Sequence, residues 1–213
     1  MTQGLFITLE GIEGAGKSTV AKFAREWLEG RGIKVCLTRE PGGTPLAERV
    51  RQLVLDRQGE PIAPTTETLL MFAARGLHVE NLIRPALARG EWVVCDRFTD
   101  ATRAYQGAGR GVSGEWIEQL AAEVQRGLTP DCTLLLDLPV TTGLERVRLR
   151  SGTVPTDRFE EEPAKFFERV RDAYLNLARA EPKRFRIVDA NESVAEVQQQ
   201  VAAILETLCR QNT

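Results

Sequence analysis

The chain has 213 residues, a length that suits one domain. Hydrophobic residues make up 42% and charged residues 27%, which excludes disordered, collagen-like and disulfide-scaffold classes. Lysine and arginine total 28 against 30 acidic residues, so an extended nucleic-acid surface is not expected, because neutralising phosphates supplies most such affinity.

Cys36, Cys95, Cys132 and Cys209 lack metal-ligand spacing, and His78 is the only histidine, so no zinc site is expected. The first three thiols sit in or beside apolar runs, where a reduced cysteine packs as a small hydrophobe, as in a reducing cytosol. The N-terminus shows no basic segment followed by a long apolar stretch, and no apolar run approaches the ~20 residues of a membrane span. A cytoplasmic protein without a membrane partner is the expectation.

Apolar runs and helix-like stretches alternate along the chain. Residues 5–9 predict a strand entering a loop at Glu10-Gly11. The run Gly11, Ile12, Glu13, Gly14, Ala15, Gly16, Lys17, Ser18 fits G-x-x-x-x-G-K-[ST]. It lies directly after that strand and directly before a helix predicted over 19–28, as its mechanism requires. Backbone N–H groups of such a loop converge on phosphate oxygens, and the helix N-terminus, opened by Thr19, adds partial positive charge. Lys17 would reach the β- and γ-phosphates and Ser18 a Mg²⁺ ion.

A second strand, 33–38, precedes a turn at 41–45 and a helix over 46–55. Thr66 is expected to cap a long helical stretch reaching Arg89-Gly90 and bent at Pro85. A third strand, 92–95, ends at Asp96, and a helix over 113–126 leads to a fourth strand, 133–136, ending at Asp137. Residues 140–150 read as helix, 151–157 as a loop with Gly and Pro, 163–180 as helix, 186–188 as a fifth strand and 193–210 as a closing helix. Strands separated by helices predict a P-loop α/β fold: a five-stranded parallel sheet with helices on both faces, in a single domain spanning 1–213. Functional residues are expected at the carboxyl ends of the strands.

Three groups of residues are read as structural. Trp27, Trp92 and Trp116 are expected in a core or an interface, and His78 on a helix surface or interface. The run Glu160-Glu161-Glu162 is expected to open a helix, where negative charge complements the dipole.

A P-loop alone leaves GTPases, mechanical ATPases and small-molecule kinases open. The guanine-reading N-K-x-D segment is missing, and Asp56-Arg57-Gln58-Gly59 matches a switch pattern only after a helix, not a strand. Asp96 is followed by Arg97, where mechanical ATPases usually carry Glu; an acid and an arginine at a strand end suit Mg²⁺ and a phosphate. Arg39 follows the second strand, Arg75 lies on the long helix, and Arg146, Arg148, Arg150 and Arg158 surround the loop after the fourth strand's helix. These planar donors suit a bound phosphate ester, and the arginine-flanked loop resembles a lid, about 148–160, that excludes water on closing.

The motifs together resemble the thymidylate kinase family, of the bacterial type with a basic lid. They are the P-loop with Glu13 inside it, Thr38-Arg39-Glu40-Pro41-Gly42-Gly43-Thr44, Leu70-Met71-Phe72-Ala73-Ala74-Arg75, Cys95-Asp96-Arg97-Phe98, Ala104-Tyr105-Gln106-Gly107 and Asp157-Arg158-Phe159-Glu160. The resemblance implies transfer of a phosphoryl group from ATP, with Mg²⁺, to dTMP, and a homodimer. It implies that Lys17 and Ser18 bind ATP phosphates and Mg²⁺, and that Asp96 supports the metal. Glu13 would lie near the acceptor's 3′-hydroxyl, Arg39 and Arg97 on its phosphate, Arg75 on a thymine carbonyl, Thr102 and Gln106 along the base and Tyr105 against the ribose 2′ position. The family's base-stacking phenylalanine stands four residues before the arginine; here that place is Met71, with Phe72 three before, which leaves both as alternatives for covering thymine. Transition-state arginines would come from the lid, Arg148, Arg150 and Arg158, with Arg97 as the other source. Remaining alternatives are a P-loop kinase for another nucleoside monophosphate and, in a different class, a P-loop switch or assembly ATPase.

Overall fold

The computed structural model describes residues 4–56, 60–150 and 158–212. The expected lid loop over 151–157 and positions 57–59 of the switch-like pattern lie outside the described residues. The strands are β1 (Phe6–Glu10), β2 (Val35–Arg39), β3 (Trp92–Asp96), β4 (Cys132–Asp137) and β5 (Phe185–Asp189). They form one parallel sheet in the order β2-β3-β1-β4-β5, the sheet that the alternation predicts. Central β1 and β4 are near-continuous apolar runs because both faces are covered. Leu9 pairs with Asp96 and Asp96 with Arg39, so β1, β3 and β2 end at one level and deliver their chemical residues to a single edge.

Helices cover the sheet. They are α1 (Lys17–Glu29), α2 (Pro45–Leu55), α3 (Pro64–His78), α4 (Arg84–Ala88), α5 (Thr99–Thr102), α6 (Gly114–Gln125), α7 (Val140–Arg150), α8 (Ala164–Ala180) and α9 (Val194–Gln211). Val20, Ala21, Ala24 and Leu28 form the buried face of α1 at helical spacing. Local signals set several starts: the Thr44 hydroxyl caps α2 with Pro45 behind it, and Ser193 and Glu196 form a reciprocal capping box on α9.

Several expectations are corrected. Helix α3 starts at Pro64 with Ala63 before it, so Thr66 is not its cap. The long helix deviates ahead of Pro85, through a π turn at Val79–Ile83. Proline brings no N–H and crowds the preceding turn, and the wider turn relieves both. A helical segment that the sequence pattern did not reveal runs through α5 into a second π segment, Arg103–Gly109. The acidic run precedes α8 without entering its first turn; Glu160 pairs with Arg150, and Glu162 with Arg110 at 2.5 Å. Trp92 is buried, while Trp27 is half-buried beneath the Arg31 guanidinium, 3.3 Å from its ring centre.

One contact ties the fold to the P-loop. Gly143 of α7 packs so closely on the loop that a Cβ there would lie 2.7 Å from the Glu13 carbonyl oxygen. Alanine in a helix normally gains ~1 kcal/mol over glycine. Gly143→Ala should instead lower the melting temperature and weaken nucleoside-triphosphate binding in a titration. A variant more stable than wild type with unchanged binding would contradict this packing.

Candidate active site

The P-loop uses glycine where the backbone turns left-handed: φ is +137° at Gly11, +76° at Gly14 and +86° at Gly16. Gly16 precedes α1 without a side-chain cap, so the Lys17 and Ser18 N–H groups remain for an anion, while the Thr19 N–H donates to the Gly16 carbonyl at 3.0 Å. Lys17 is buried and folds back over the loop, its Nζ donating to the Gly11 and Ile12 carbonyls at 3.0 and 2.9 Å. Burial lowers its pKa to about 8, helped by the Arg97 charge and opposed by Asp96, Glu13 and Glu10.

Ser18 Oγ lies 3.4 Å from Asp96 Oδ2 across the loop. Asp96 Oδ1 is buried with no hydrogen-bond partner among the described residues. A buried carboxylate oxygen without a donor is costly, and a hard cation is its natural complement. Among the described residues no cluster of three or more His, Cys, Asp or Glu could hold a metal. The donor set therefore fits Mg²⁺ bound jointly with phosphate oxygens.

Arg97, directly after β3, has φ +70°, which is rare outside glycine. Its neighbours fix it. The Phe98 N–H donates to Glu10 Oε1 at 2.8 Å, and the Tyr174 hydroxyl to Glu10 Oε2 at 2.6 Å. Arg97 then donates from Nη2 to Glu13 Oε1 at 2.8 Å and the Tyr105 hydroxyl at 3.0 Å, and from Nη1 to the Tyr174 hydroxyl at 3.3 Å. Tyr105 closes the ring by donating to Glu13 Oε2 at 2.5 Å. Glu10 is fully buried, and burial together with the Asp100 charge pushes its carboxyl up to about 8.

Beyond Arg97 lies a cavity lined by Tyr105, Gln106, Thr102, Met71, Arg75 and Phe159. Buried Arg75 donates from Nε to Glu40 Oε2 at 2.7 Å, and from Nη2 to the Phe98 carbonyl at 3.2 Å and Thr102 Oγ1 at 3.0 Å. Its Nη1 is buried without a partner among the described residues. Gln106 Nε2 donates to Glu67 Oε1 at 2.8 Å. Phe72 does not line the cavity, correcting that alternative; it packs with Ile117 and Ala121, its ring centre 4.7 Å from the Arg75 guanidinium carbon. One residue turns a helix by ~100°, so Met71 faces the cavity when Phe72 faces the core. His78 is also corrected: it is buried at the end of α3.

The remaining arginines divide. Arg39 and Arg150 line the cleft in front of the P-loop; Arg39 pairs with Glu48 at 2.9 Å and Arg150 with Glu160. Arg148 is exposed and is not among that cleft's lining residues. Arg158 turns to the Val54 carbonyl at 3.1 Å and Glu67 Oε2 at 2.7 Å, away from the cleft. Residues missed by sequence reasoning include Glu10, Tyr174, Glu67 and Arg51. Arg51 lines both hollows and holds the Pro41 carbonyl at 2.9 Å. An acid ending an apolar strand was a usable signal for Glu10; Tyr174 and Glu67 carry none locally. Arg146 also lines the cleft; it donates to the Ala190 carbonyl at 2.8 Å and borders a third hollow between the P-loop and the start of α9.

Residues 9–201 match the family model described as thymidylate kinase. The chain belongs to the thymidylate kinase family. It is 56% identical over 205 residues to the thymidylate kinase of Ectopseudomonas mendocina (strain ymp), covering 96% of each chain. With that of Methylococcus capsulatus (strain Bath) it shares 55% identity over 208 residues, covering 98% of each. The crystal structure of thymidylate kinase from Ehrlichia chaffeensis superposes with a TM-score of 0.76 at 31% identity, over 97% of this chain and 99% of that one. Family membership carries ATP as phosphoryl donor and a place in nucleotide biosynthesis.

The lowered pKa of Lys17 sets a pH dependence. In the free enzyme the ammonium is lost as pH rises through about 8, whereas bound phosphates favour the charged form and raise that pKa. kcat/KM for ATP should therefore fall above about pH 8, while kcat at saturating ATP holds to higher pH. A kcat/KM profile flat through the alkaline range would contradict the buried setting of Lys17.

Proposed function

We propose that the chain transfers the γ-phosphoryl group of ATP to dTMP, giving dTDP and ADP, with the two nucleotides meeting at Arg97. The observation that carries this reading is the junction of the hollows: Glu13, Glu40, Arg51 and Arg97 line both the cleft before the P-loop and the cavity beyond it. A donor phosphate chain on Lys17, Ser18 and Thr19 thus points at an acceptor phosphate held by Arg97 and Arg39. The thymine lies deeper, beneath Met71, with the open Nη1 of Arg75 donating to a ring carbonyl and with Thr102 and Gln106 beside it. Glu13 and Tyr105 face the sugar. The donor's purine takes the hollow beside Arg146.

Transfer needs no covalent enzyme intermediate. The work is positioning and charge neutralisation, supplied by the loop amides, Lys17, Arg97 and an arginine near the lid. Arg150 is the candidate there, because, of the lid arginines Arg148, Arg150 and Arg158, it is the one that lines the cleft. Mg²⁺, held by Ser18 and Asp96 with phosphate oxygens, would screen the phosphate charge. The whole chain acts as one kinase domain, as a homodimer in the cytoplasm.

Purified protein with ATP and a panel of dTMP, dUMP, dGMP and CMP tests the reading. dTMP should be preferred, and chelation should abolish transfer until Mg²⁺ is restored. Acceptor-independent ATP hydrolysis as the main activity would favour a switch or assembly ATPase. Among the arginines, Arg150→Ala should lower kcat by up to ~10³-fold with dTMP binding nearly intact, since such a contact forms mainly in the transition state. Arg158→Ala should act on the acceptor side, because it leaves buried Glu67 short of a partner. A kcat for Arg150→Ala within about threefold of wild type, under ~1 kcal/mol of barrier, would remove Arg150 from the chemistry.

A further inference from the structure

We propose that His78 is a positioning residue for base recognition: it fixes Glu40, and through Glu40 it holds the guanidinium of Arg75 at the base. The inference rests on the reading of Arg75 as the base-binding donor. His78 does not line the cavity, so it can act only through other groups. It stands one helical turn after Arg75 at the end of α3 and is fully buried.

The hydrogen bonds run from one element to the next. His78 Nδ1 is 2.9 Å from Glu40 Oε1, and Nε2 is 2.8 Å from Thr38 Oγ1. The second oxygen of the same carboxylate, Oε2, accepts from Arg75 Nε at 2.7 Å. A carboxylate bridging an arginine accepts only, so the ring proton belongs on Nδ1, facing Glu40. Nε2 shares the second hydrogen bond with the Thr38 hydroxyl. Glu40 thus accepts from His78 on one oxygen and from Arg75 on the other, and Thr38 holds the far side of the ring.

This arrangement does more than satisfy a buried histidine. Glu40 follows Arg39 on the turn after β2, and Arg75 lies on α3. A carboxylate held at one oxygen can swing; held at both, it sets the plane of the guanidinium. Arg75 Nη2 is committed to Phe98 and Thr102, which leaves Nη1 as the donor whose aim depends on that plane. The ring itself is clamped: a Cβ on Gly43 would lie 2.5 Å from His78 Cδ2 and Nε2. The arginine-bearing turn at the acceptor phosphate and the arginine at the base are thereby locked together through one imidazole.

The test separates positioning from general packing. His78→Leu removes both hydrogen bonds at similar volume, and His78→Asn keeps an amide donor near the place of Nδ1. His78→Leu should raise KM for dTMP about tenfold, the loss of one buried hydrogen bond to a charged group, with KM for ATP and kcat within about twofold of wild type. His78→Asn should restore most of the dTMP affinity. The double variant Arg75→Ala/His78→Leu should bind dTMP no more weakly than Arg75→Ala alone, because one interaction is lost only once. If His78→Leu does not fold, Thr38→Val takes its place, with a smaller rise confined to KM for dTMP. Equal changes for ATP and dTMP, or additive losses in the double variant, would overturn the proposal. An Arg75→Ala effect on dTMP without any His78 effect would also overturn it while leaving the base-binding reading intact. Failure of Arg75→Ala to change KM for dTMP would sink that reading and this proposal with it.

Discussion

The site depends on a non-glycine residue held in left-handed backbone. Arg97 at φ +70° is an arrangement that costs on the order of 1 kcal/mol or more and persists only where its surroundings over-determine it. Glu10 fixes the peptide after it, Tyr174 and Tyr105 fix the guanidinium, and Glu13 draws it back over the P-loop. An extended backbone at this position would aim the side chain differently. The left-handed turn instead places one cation where two hollows share a wall.

The electrostatics follow from that placement. Burial of Lys17 is costly, and repulsion from Arg97 adds to that cost. Glu13 and Asp96 offset part of it, and anionic phosphates complete the balance in our reading. The site is thus arranged for ligands it must still receive, with open helix N–H groups, a partnerless Asp96 oxygen and a partnerless Arg75 nitrogen. Preorganised donors of this kind need little rearrangement as charge shifts during transfer.

What was legible in the sequence is what local pattern controls. Apolar runs of strand length and helical spacing foretold all five strands and the sheet, and the glycine pattern placed the P-loop at the right junction. Asp96 and Arg97 were legible as strand-end residues. Helix phase was not, because a shift of one residue exchanges Phe72 for Met71 in the cavity. The segment 99–109 was hidden by Gly107 and Gly109, which broke the periodicity of a π segment. His78, Glu67 and Tyr174 take their roles from partners far along the chain: Tyr174 meets Glu10 across 164 positions, and His78 meets Glu40 across 38. Arg158 beside the lid looked like a phosphate donor because its buried partner, Glu67, carries no signal in its own segment.

Arg97→Lys tests the central claim most directly. Lysine keeps the positive charge but cannot bridge Glu13, Tyr105 and Tyr174 in one plane. With folding checked by thermal melting, the measurement is kcat/KM for dTMP at saturating ATP. A loss of ~100-fold or more, about 2.7 kcal/mol of transition-state stabilisation, is the result this account requires. Activity within about threefold of wild type would show that charge alone suffices at this position, and that the left-handed pivot does not organise the site.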